Sequence, residues 1–307
     1  MTKPDRVLLV FLDGVGIGED DAEVNPFIKA RASLPTLNAL MGGNTPTLSA
    51  PRGTGPGGVT MPLDARLDVE GLPQSGTGQT ALLTGEGAAE LHGRHFGPWV
   101  PVALRPLVEE RSVLRRALEA GRSAAFANAY PRAWPGSGRR SRFIAAPPLA
   151  ARAAGLLDRH EKSLGEGRAI SSEIVNDGWR RHLGYRWLPE ITPQQAGANL
   201  AAISSQNDLT LYAHYSTDSA GHEQSMARAV SALQLVDAFF EGVLSELSPG
   251  TLLLITSDHG NIEDVRAGHT RNPALGIAAG PGAKHAAGLS DLREVTPFIL
   301  GMLGVDH

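Results

Sequence analysis

The chain has 307 residues, 42% of them apolar, which is enough to bury a sizeable core and excludes disorder as its default state. A formal net charge of −4 gives no general attraction for nucleic acid, and with no cysteine present any metal must be held by Asp, Glu, His and hydroxyl groups. The only strongly apolar N-terminal run, residues 7–12, is too short for a membrane span or a signal peptide, so a cytoplasmic protein without a membrane partner is expected.

Taken in chain order, apolar runs at residues 7–12, 124–129, 209–214, 252–256 and 275–279 read as buried parallel strands. The clearest helix is predicted over residues 223–247, where Met226, Val230, Leu233, Val236, Phe240, Val243 and Leu247 recur every three or four positions. Strands alternating with helices predict an α/β fold, a mostly parallel sheet with helices on both faces and ligand sites beyond the carboxyl ends of its strands. Residues 42–62, rich in Gly, Pro and Thr, are expected to form an irregular surface excursion rather than a core element. The pattern also loosens over residues 131–189, around Pro131, Pro135, Pro147 and Pro148, an arginine cluster and the tryptophans Trp179 and Trp187. That stretch is expected to be a small inserted cap, leaving residues 1–130 and 190–307 as a metal-binding catalytic core.

Asp13 closes the first strand, and Gly14 behind it relieves crowding. Gly14, Gly16 and Gly18 lack the G-x-G-x-x-G spacing, and no suitably placed acid ends a second strand, so a nicotinamide site is not indicated. Ser75, Thr77, Thr80 and Thr84, interspersed with glycines, precede a helical pattern. A helix N-terminus there offers backbone N–H groups to an anion, and a metal beside a hydroxyl lowers its pKa; taken alone, the stretch is a Ser/Thr-rich cap. Neither a P-loop nor G-x-S-x-G is present, the latter because position 73 is Pro.

Asp218 and His222 follow the run at 209–214 with a spacing that, on a helix, stacks both side chains on one face as chelation requires. Taken alone, they are a capping Asp and a surface His. Asp258-His259-Gly260-Asn261 ends the run at 252–256. In a regular strand Asp258 and His259 would point to opposite faces, so joint ligation needs the strand to stop, and Gly260 makes that turn easy. His269-Thr270 adds an imidazole before the last strand. Asp13, Asp218, Asp258, His222, His259 and His269 thus supply mixed oxygen and nitrogen ligands for two divalent ions, suited to Mn or Zn better than to Mg.

In type and order this constellation resembles the alkaline phosphatase superfamily, in particular its branch of cofactor-independent phosphoglycerate mutases and phosphopentomutases. The resemblance runs through Asp13, the Ser75 region, the insertion, Asp218 with His222, Asp258-His259-Gly260-Asn261 and His269-Thr270, and residues 34–40 resemble the family's early helix. It implies that Asp218, His222 and His269 hold one ion, and that Asp13, Asp258, His259 and the nucleophile hold the other. Counting back from Gly85 places the nucleophile at Ser75, whereas counting to the first Gly of the mutase motif places it at Thr77, the second choice.

The resemblance further implies attack on a phosphoryl group to give a phosphoserine. Return of that group to the same substrate is mutase chemistry; capture by water is phosphomonoesterase or phosphodiesterase chemistry. A small phosphorylated metabolite and mutase-like transfer are expected, with hydrolysis the alternative. The chain departs from the mutases in its smaller insertion and in Gly78-Gln79-Thr80, which replaces the Gly-His after their nucleophile. Asn261, Arg94, Arg132, Arg139, Arg140 and Arg142 are candidates for gripping phosphate or carboxylate, although each arginine singly reads as a solvated charge. Two rivals stand beside this reading: a metal-free serine hydrolase pairing Ser75 with one His-Asp couple, and a regulatory protein that keeps the fold and metal without catalysis.

Overall fold

The computed structural model describes residues 3–136 and 143–305, so Arg139, Arg140 and Arg142 lie outside the described residues. Seven strands form one sheet: β1 (Arg6–Leu12), β2 (Gly53–Gly55), β3 (Gly58–Leu63), β4 (Ala124–Phe126), β5 (Leu209–His214), β6 (Thr251–Thr256) and β7 (Ala274–Ala279). Their order is β2-β3-β7-β6-β1-β5-β4, and β6, β1, β5 and β4 run parallel. Along β1, Val7, Leu9 and Phe11 enter one core while Leu8, Val10 and Leu12 enter a second. A strand covered on both faces must alternate in this way, because successive side chains point to opposite sides of the sheet.

Helices Ser75–Thr84, Ala146–Ala153 and Val295–Leu303 cover the first face through Leu82, Leu149 and Ile299. Helices Pro35–Leu40, Pro193–Ser204 and Met226–Glu246 cover the second through Leu37, Leu200 and Phe240. Burying one such side chain contributes roughly 1.5–3 kcal/mol. The long helix turns Leu233, Val236, Phe240 and Val243 inward, as their spacing predicts, together with Asp237. That carboxylate accepts the N–H of Leu37 at 2.7 Å and so caps helix Pro35–Leu40, whose own preceding residue Leu34 has no side-chain acceptor.

Two expectations change. Residues 42–62 are not an irregular excursion: they contain β2 and most of β3, and Val59 and Met61 are buried. The Gly and Pro content is compatible with a strand because Pro62 lies beyond the stretch that β2 pairs, at the sheet edge, where a missing donor is tolerated. The strand at 274–279 is antiparallel to both β6 and β3, not parallel. Its start therefore lies at the same edge as the carboxyl ends of β1, β5 and β6, and the residues that precede it arrive there too.

Within residues 131–189 the helix Ala146–Ala153 packs into the first core and Ile170 and Ile174 into the second, while Leu164, Trp179 and Leu188 gather with Ala129 in a small separate cluster. Among the described residues no helix is long and apolar enough to cross a membrane.

Candidate metal centre

Parallel registry decides where the ligands meet. β1 is flanked by β5 and β6, with Leu12 opposite His214 and Phe11 opposite Thr256, so the residues leaving all three strands emerge side by side. Asp13 follows β1, Asp258 and His259 follow β6, and helix Ser216–His222 starts almost directly after β5, carrying Asp218 and His222 on one face. Antiparallel β7 delivers His269 to the same edge. Gly14, at φ +66°, makes the turn after β1; a Cβ there would lie 2.5 Å from Asp218 Oδ1, so the tight approach of the two loops needs glycine.

In the buried half of the site, three side chains converge on one nitrogen. His259 Nε2 lies 3.0 Å from Ser75 Oγ, 3.4 Å from Asp13 Oδ1 and 3.7 Å from Asp258 Oδ2. His259 is fully buried, and its Nδ1 faces the Gly260 carbonyl at 3.3 Å rather than a carboxylate. A Ser-His-Asp relay requires the acid on the imidazole nitrogen opposite the serine. Here serine and acids share one nitrogen, which is the pattern of groups surrounding a common centre, so the metal-free serine hydrolase loses its geometric basis.

The second half is built from Asp218, His222 and His269. Asp218 Oδ2 lies 3.3 Å from His222 Nε2, Asp218 Oδ1 lies 3.5 Å from His269 Nε2, and the two imidazole nitrogens face each other at 3.2 Å. His269 Nδ1 donates to the Pro73 carbonyl at 2.9 Å, which leaves the lone pair on Nε2 directed into the cluster. In each half the three acidic and imidazole groups offer ligand atoms within 4.8 Å of one another. A cleft of about 310 Å³, lined by Gln74, Ser75, Pro98, Asp218, His222 and His269, opens this edge to solvent.

A family model described as the metalloenzyme superfamily matches residues 190–306, the stretch that carries Asp218, His222, Asp258, His259 and His269. The 2,3-bisphosphoglycerate-independent phosphoglycerate mutase of Chromobacterium violaceum is 33% identical over 134 residues, covering 40% of this chain and 26% of that protein. The Thiobacillus denitrificans mutase is 34% identical over 116 residues, 34% of this chain and 23% of its own length. The chain thus spans about a quarter of the length of these curated relatives. Among solved structures, PH0037 of Pyrococcus horikoshii superposes with a TM-score of 0.61 at 13% identity, covering 100% of this chain and 99% of that one. The alkaline phosphatase of the Antarctic bacterium TAB5 superposes at 0.53 and 14% identity, covering 100% of both chains. Over residues 190–306 the chain is similar to the metalloenzyme superfamily, and its fold is that of alkaline phosphatase-like structures.

Similarity to the metalloenzyme superfamily suggests divalent ions, and the residues fit them. Asp13 Oδ1 and Asp258 Oδ2 are buried without a hydrogen-bond partner, and hard oxygen atoms left in that state beside imidazole form a donor set for a cation. The electrostatics agree. Burial and the charge of Asp258 push the Asp13 carboxyl well above its usual range, and burial likewise pushes Asp258 up. Burial works against a charged His259, yet Asp258 and Asp13 together raise its pKa to about 10. Asp218 is held down to about 2 despite its burial, by the hydrogen bond with His269 and the charge of His259. The charge of Asp258 disfavours an ionised Asp13 and favours a charged His259, so the cluster favours added positive charge.

The other expected residues fall into place unevenly. Thr77 donates to the Gln74 carbonyl at 3.2 Å and accepts the Phe96 N–H at 3.2 Å, so its hydroxyl is engaged with the neighbouring loop. Asn261 is fully buried and donates to Asp218 Oδ1 at 2.6 Å, while its own Oδ1 has no hydrogen-bond partner. Arg94 is exposed, and Arg132 lies 3.8 Å from Glu161. Among the described residues lining the cleft there is no lysine or arginine. Gln79 was not foreseen as a site residue: it is buried, donates to Asp13 Oδ2 at 3.1 Å and accepts the Ala146 N–H at 3.3 Å, tying a candidate ligand to the helix Ala146–Ala153. Its departure from the Gly-His of the mutases was the available signal.

Proposed function

We propose that this chain transfers the phosphoryl group of a small phosphorylated metabolite through a phosphoserine at Ser75, with water as the final acceptor. The observation that carries the reading is the convergence of Ser75 Oγ, Asp13 Oδ1 and Asp258 Oδ2 on the His259 Nε2 position. Asp13, Asp258, His259 and Ser75 would hold one divalent ion, and Asp218, His222 and His269 the other. Such ions activate a hydroxyl as nucleophile and neutralise charge on a phosphoryl group and its leaving oxygen. Mn and Zn suit these mixed donors better than Mg.

The chain's own residues orient the reaction. Ser75 opens helix Ser75–Thr84, so its Oγ lies at a helix N-terminus, where backbone N–H groups and the helix dipole favour an anion. The bond from Ser75 Oγ to phosphorus forms as the ester P–O bond breaks; the hydroxyl proton passes to the leaving oxygen, which departs as an alcohol on the side of the cleft bordered by Asp218, His222 and His269, and water then cleaves the phosphoserine to free phosphate and the Ser75 hydroxyl. Hydrolysis is supported by the openness of that side: the His222 side chain is 53% exposed, which gives water access to a phosphoserine.

Mutase chemistry is the second reading, favoured by the similarity to phosphoglycerate mutases. It needs a cap that keeps water out, and we propose that residues 154–189, outside helix Ala146–Ala153, are the part of the insertion that could serve. Phosphorus NMR on a panel of phosphoglycerates and sugar phosphates decides between the readings, with mass spectrometry of the trapped protein. Free phosphate and phosphorylated Ser75 are expected. Positional isomers without free phosphate would establish the mutase, and turnover with no phosphorylated residue would overturn the covalent mechanism.

A further inference from the structure

The loop after β6 carries a second buried acid, Glu263, with no solvent exposure. Its Oε2 accepts the N–H groups of Gly16 at 2.9 Å and Asn261 at 2.7 Å, and its Oε1 accepts the Thr270 hydroxyl at 2.6 Å and the Asn272 side-chain amide at 3.0 Å. Only a carboxylate offers acceptor sites on both oxygens to four donors at once. Every one of those donors sits on a segment that brings a candidate metal ligand to the sheet edge. Gly16 belongs to the turn that begins with Asp13. Asn261 follows His259 and bonds Asp218 Oδ1 through its own amide at 2.6 Å. Thr270 follows His269, and its N–H donates to the Gly260 carbonyl at 3.0 Å.

The backbone is shaped to receive this side chain. A Cβ on Gly16 would lie 2.5 Å from the Glu263 carboxyl group, and one on Gly260 would lie 2.4 Å from Oε1. Both glycines therefore leave room for Glu263. The side chain does not line the cleft, so it reaches the site through the loops alone.

We propose that Glu263 is a positioning residue that locks the loops after β1 and β6 and the segment before β7 into a single frame, setting the ligand geometry of both ion sites. The proposal rests on the assignment of Asp13, Asp218, His222, Asp258, His259 and His269 as metal ligands. Groups that orient ligands from behind alter metal affinity by about 10–100-fold when lost. Charge and reach can be separated here. Glu263→Gln keeps the length but turns one acceptor into a donor, whereas Glu263→Asp keeps the charge but withdraws it from donors that it cannot reach together.

The test is a calorimetric Mn²⁺ titration of chelator-stripped wild type, Glu263→Gln and Glu263→Asp, with electron paramagnetic resonance of the loaded proteins and unfolding curves of the stripped ones. Both variants are expected to bind Mn²⁺ roughly 10–100-fold more weakly at both sites, with altered resonance spectra. Wild-type affinity in Glu263→Asp would show that charge alone matters. Lowered stability with unchanged affinity and spectrum would show a merely structural role, and either result overturns the proposal. Should neither variant fold, Thr270→Val, which removes one donor, decides: weakened binding at the His269 site supports the proposal, and unchanged binding overturns it. A wild-type protein that takes up no Mn²⁺ or Zn²⁺ would instead overturn the metal assignment itself, and this proposal with it.

Discussion

Replacing Asp258 by Asn should stabilise the metal-free protein and weaken the metal-loaded one. Asp258 is fully buried; its Oδ1 accepts one N–H, from Gly14 at 3.2 Å, and its Oδ2 has no hydrogen-bond partner. An unsatisfied buried polar atom costs about 1–3 kcal/mol, and more when it is charged. The amide keeps the Gly14 contact, removes the buried charge and lessens the repulsion that Asp258 exerts on Asp13; it also gives up the attraction to His259, but burial outweighs that attraction and pushes the Asp258 carboxyl up. In chelator the variant should therefore exceed wild type by about 1–3 kcal/mol. In a domain of this general size each kcal/mol corresponds to a Tm rise of about 2–4 °C.

Metal reverses the order. An ion at 100 times its Kd stabilises a folded protein by about 2.7 kcal/mol, and a variant lacking one ligand gains far less at the same concentration. Paired thermal unfolding scans in chelator and in Mn²⁺ or Zn²⁺ measure both effects. The reasoning fails if Asp258→Asn is the less stable protein in chelator while metal leaves wild type unchanged.

Two further outcomes follow from the same geometry. Ser75→Ala should abolish turnover and phosphoprotein formation, whereas Thr77→Val should keep both and cost about 1 kcal/mol through the lost bond from the Phe96 N–H; phosphorus NMR and urea unfolding score the pair. Asp218, with its pKa lowered to about 2 in the folded state against about 3.9 unfolded, contributes stability that is fully present above pH 3.9 and is lost as pH falls through 2. The difference between wild type and Asp218→Asn in chelator should amount to about 2 kcal/mol near pH 5 and close towards pH 2, and a difference that does not vary with pH would contradict the assigned environment.

The ends of β1, β5 and β6 were legible because each is an apolar run closed by a polar residue, a local pattern that survives folding. The direction of β7 was not, since a strand buried on both faces has the same composition whichever way it runs. β3 was hidden by the glycines and prolines around it: Val59 and Met61 supply its burial, and only tertiary pairing with β7 makes them a strand. Gln79 and Glu263 escaped for a related reason. A buried Gln or Glu is identified by what surrounds it, and their partners are Asp13 and Ala146 in one case and residues from three separate segments in the other. The cue for Glu263 was its place two residues after Asn261, in a stretch whose acids had already been assigned to chemistry.

The two halves of the site differ in a way that bears on the order of events. His259 is fully buried among Asp13, Asp258 and Ser75, whereas the His222 side chain is half exposed at the end of a short helix. Nδ1 of His269 is fixed by Pro73, and Asp218 is fixed by Asn261, so the exposed half still has two of its three groups held from behind. His222 alone depends on its i,i+4 position for alignment. If both halves hold ions, solvent reaches His222 first, so sequential loading with the Asp218 half the more labile is the expected outcome, and two-step Mn²⁺ uptake in a calorimetric titration checks it. Simultaneous loss of both ions on mild chelation would contradict it. On the proposed mechanism the same asymmetry places Ser75 on the buried side and the leaving group next to water.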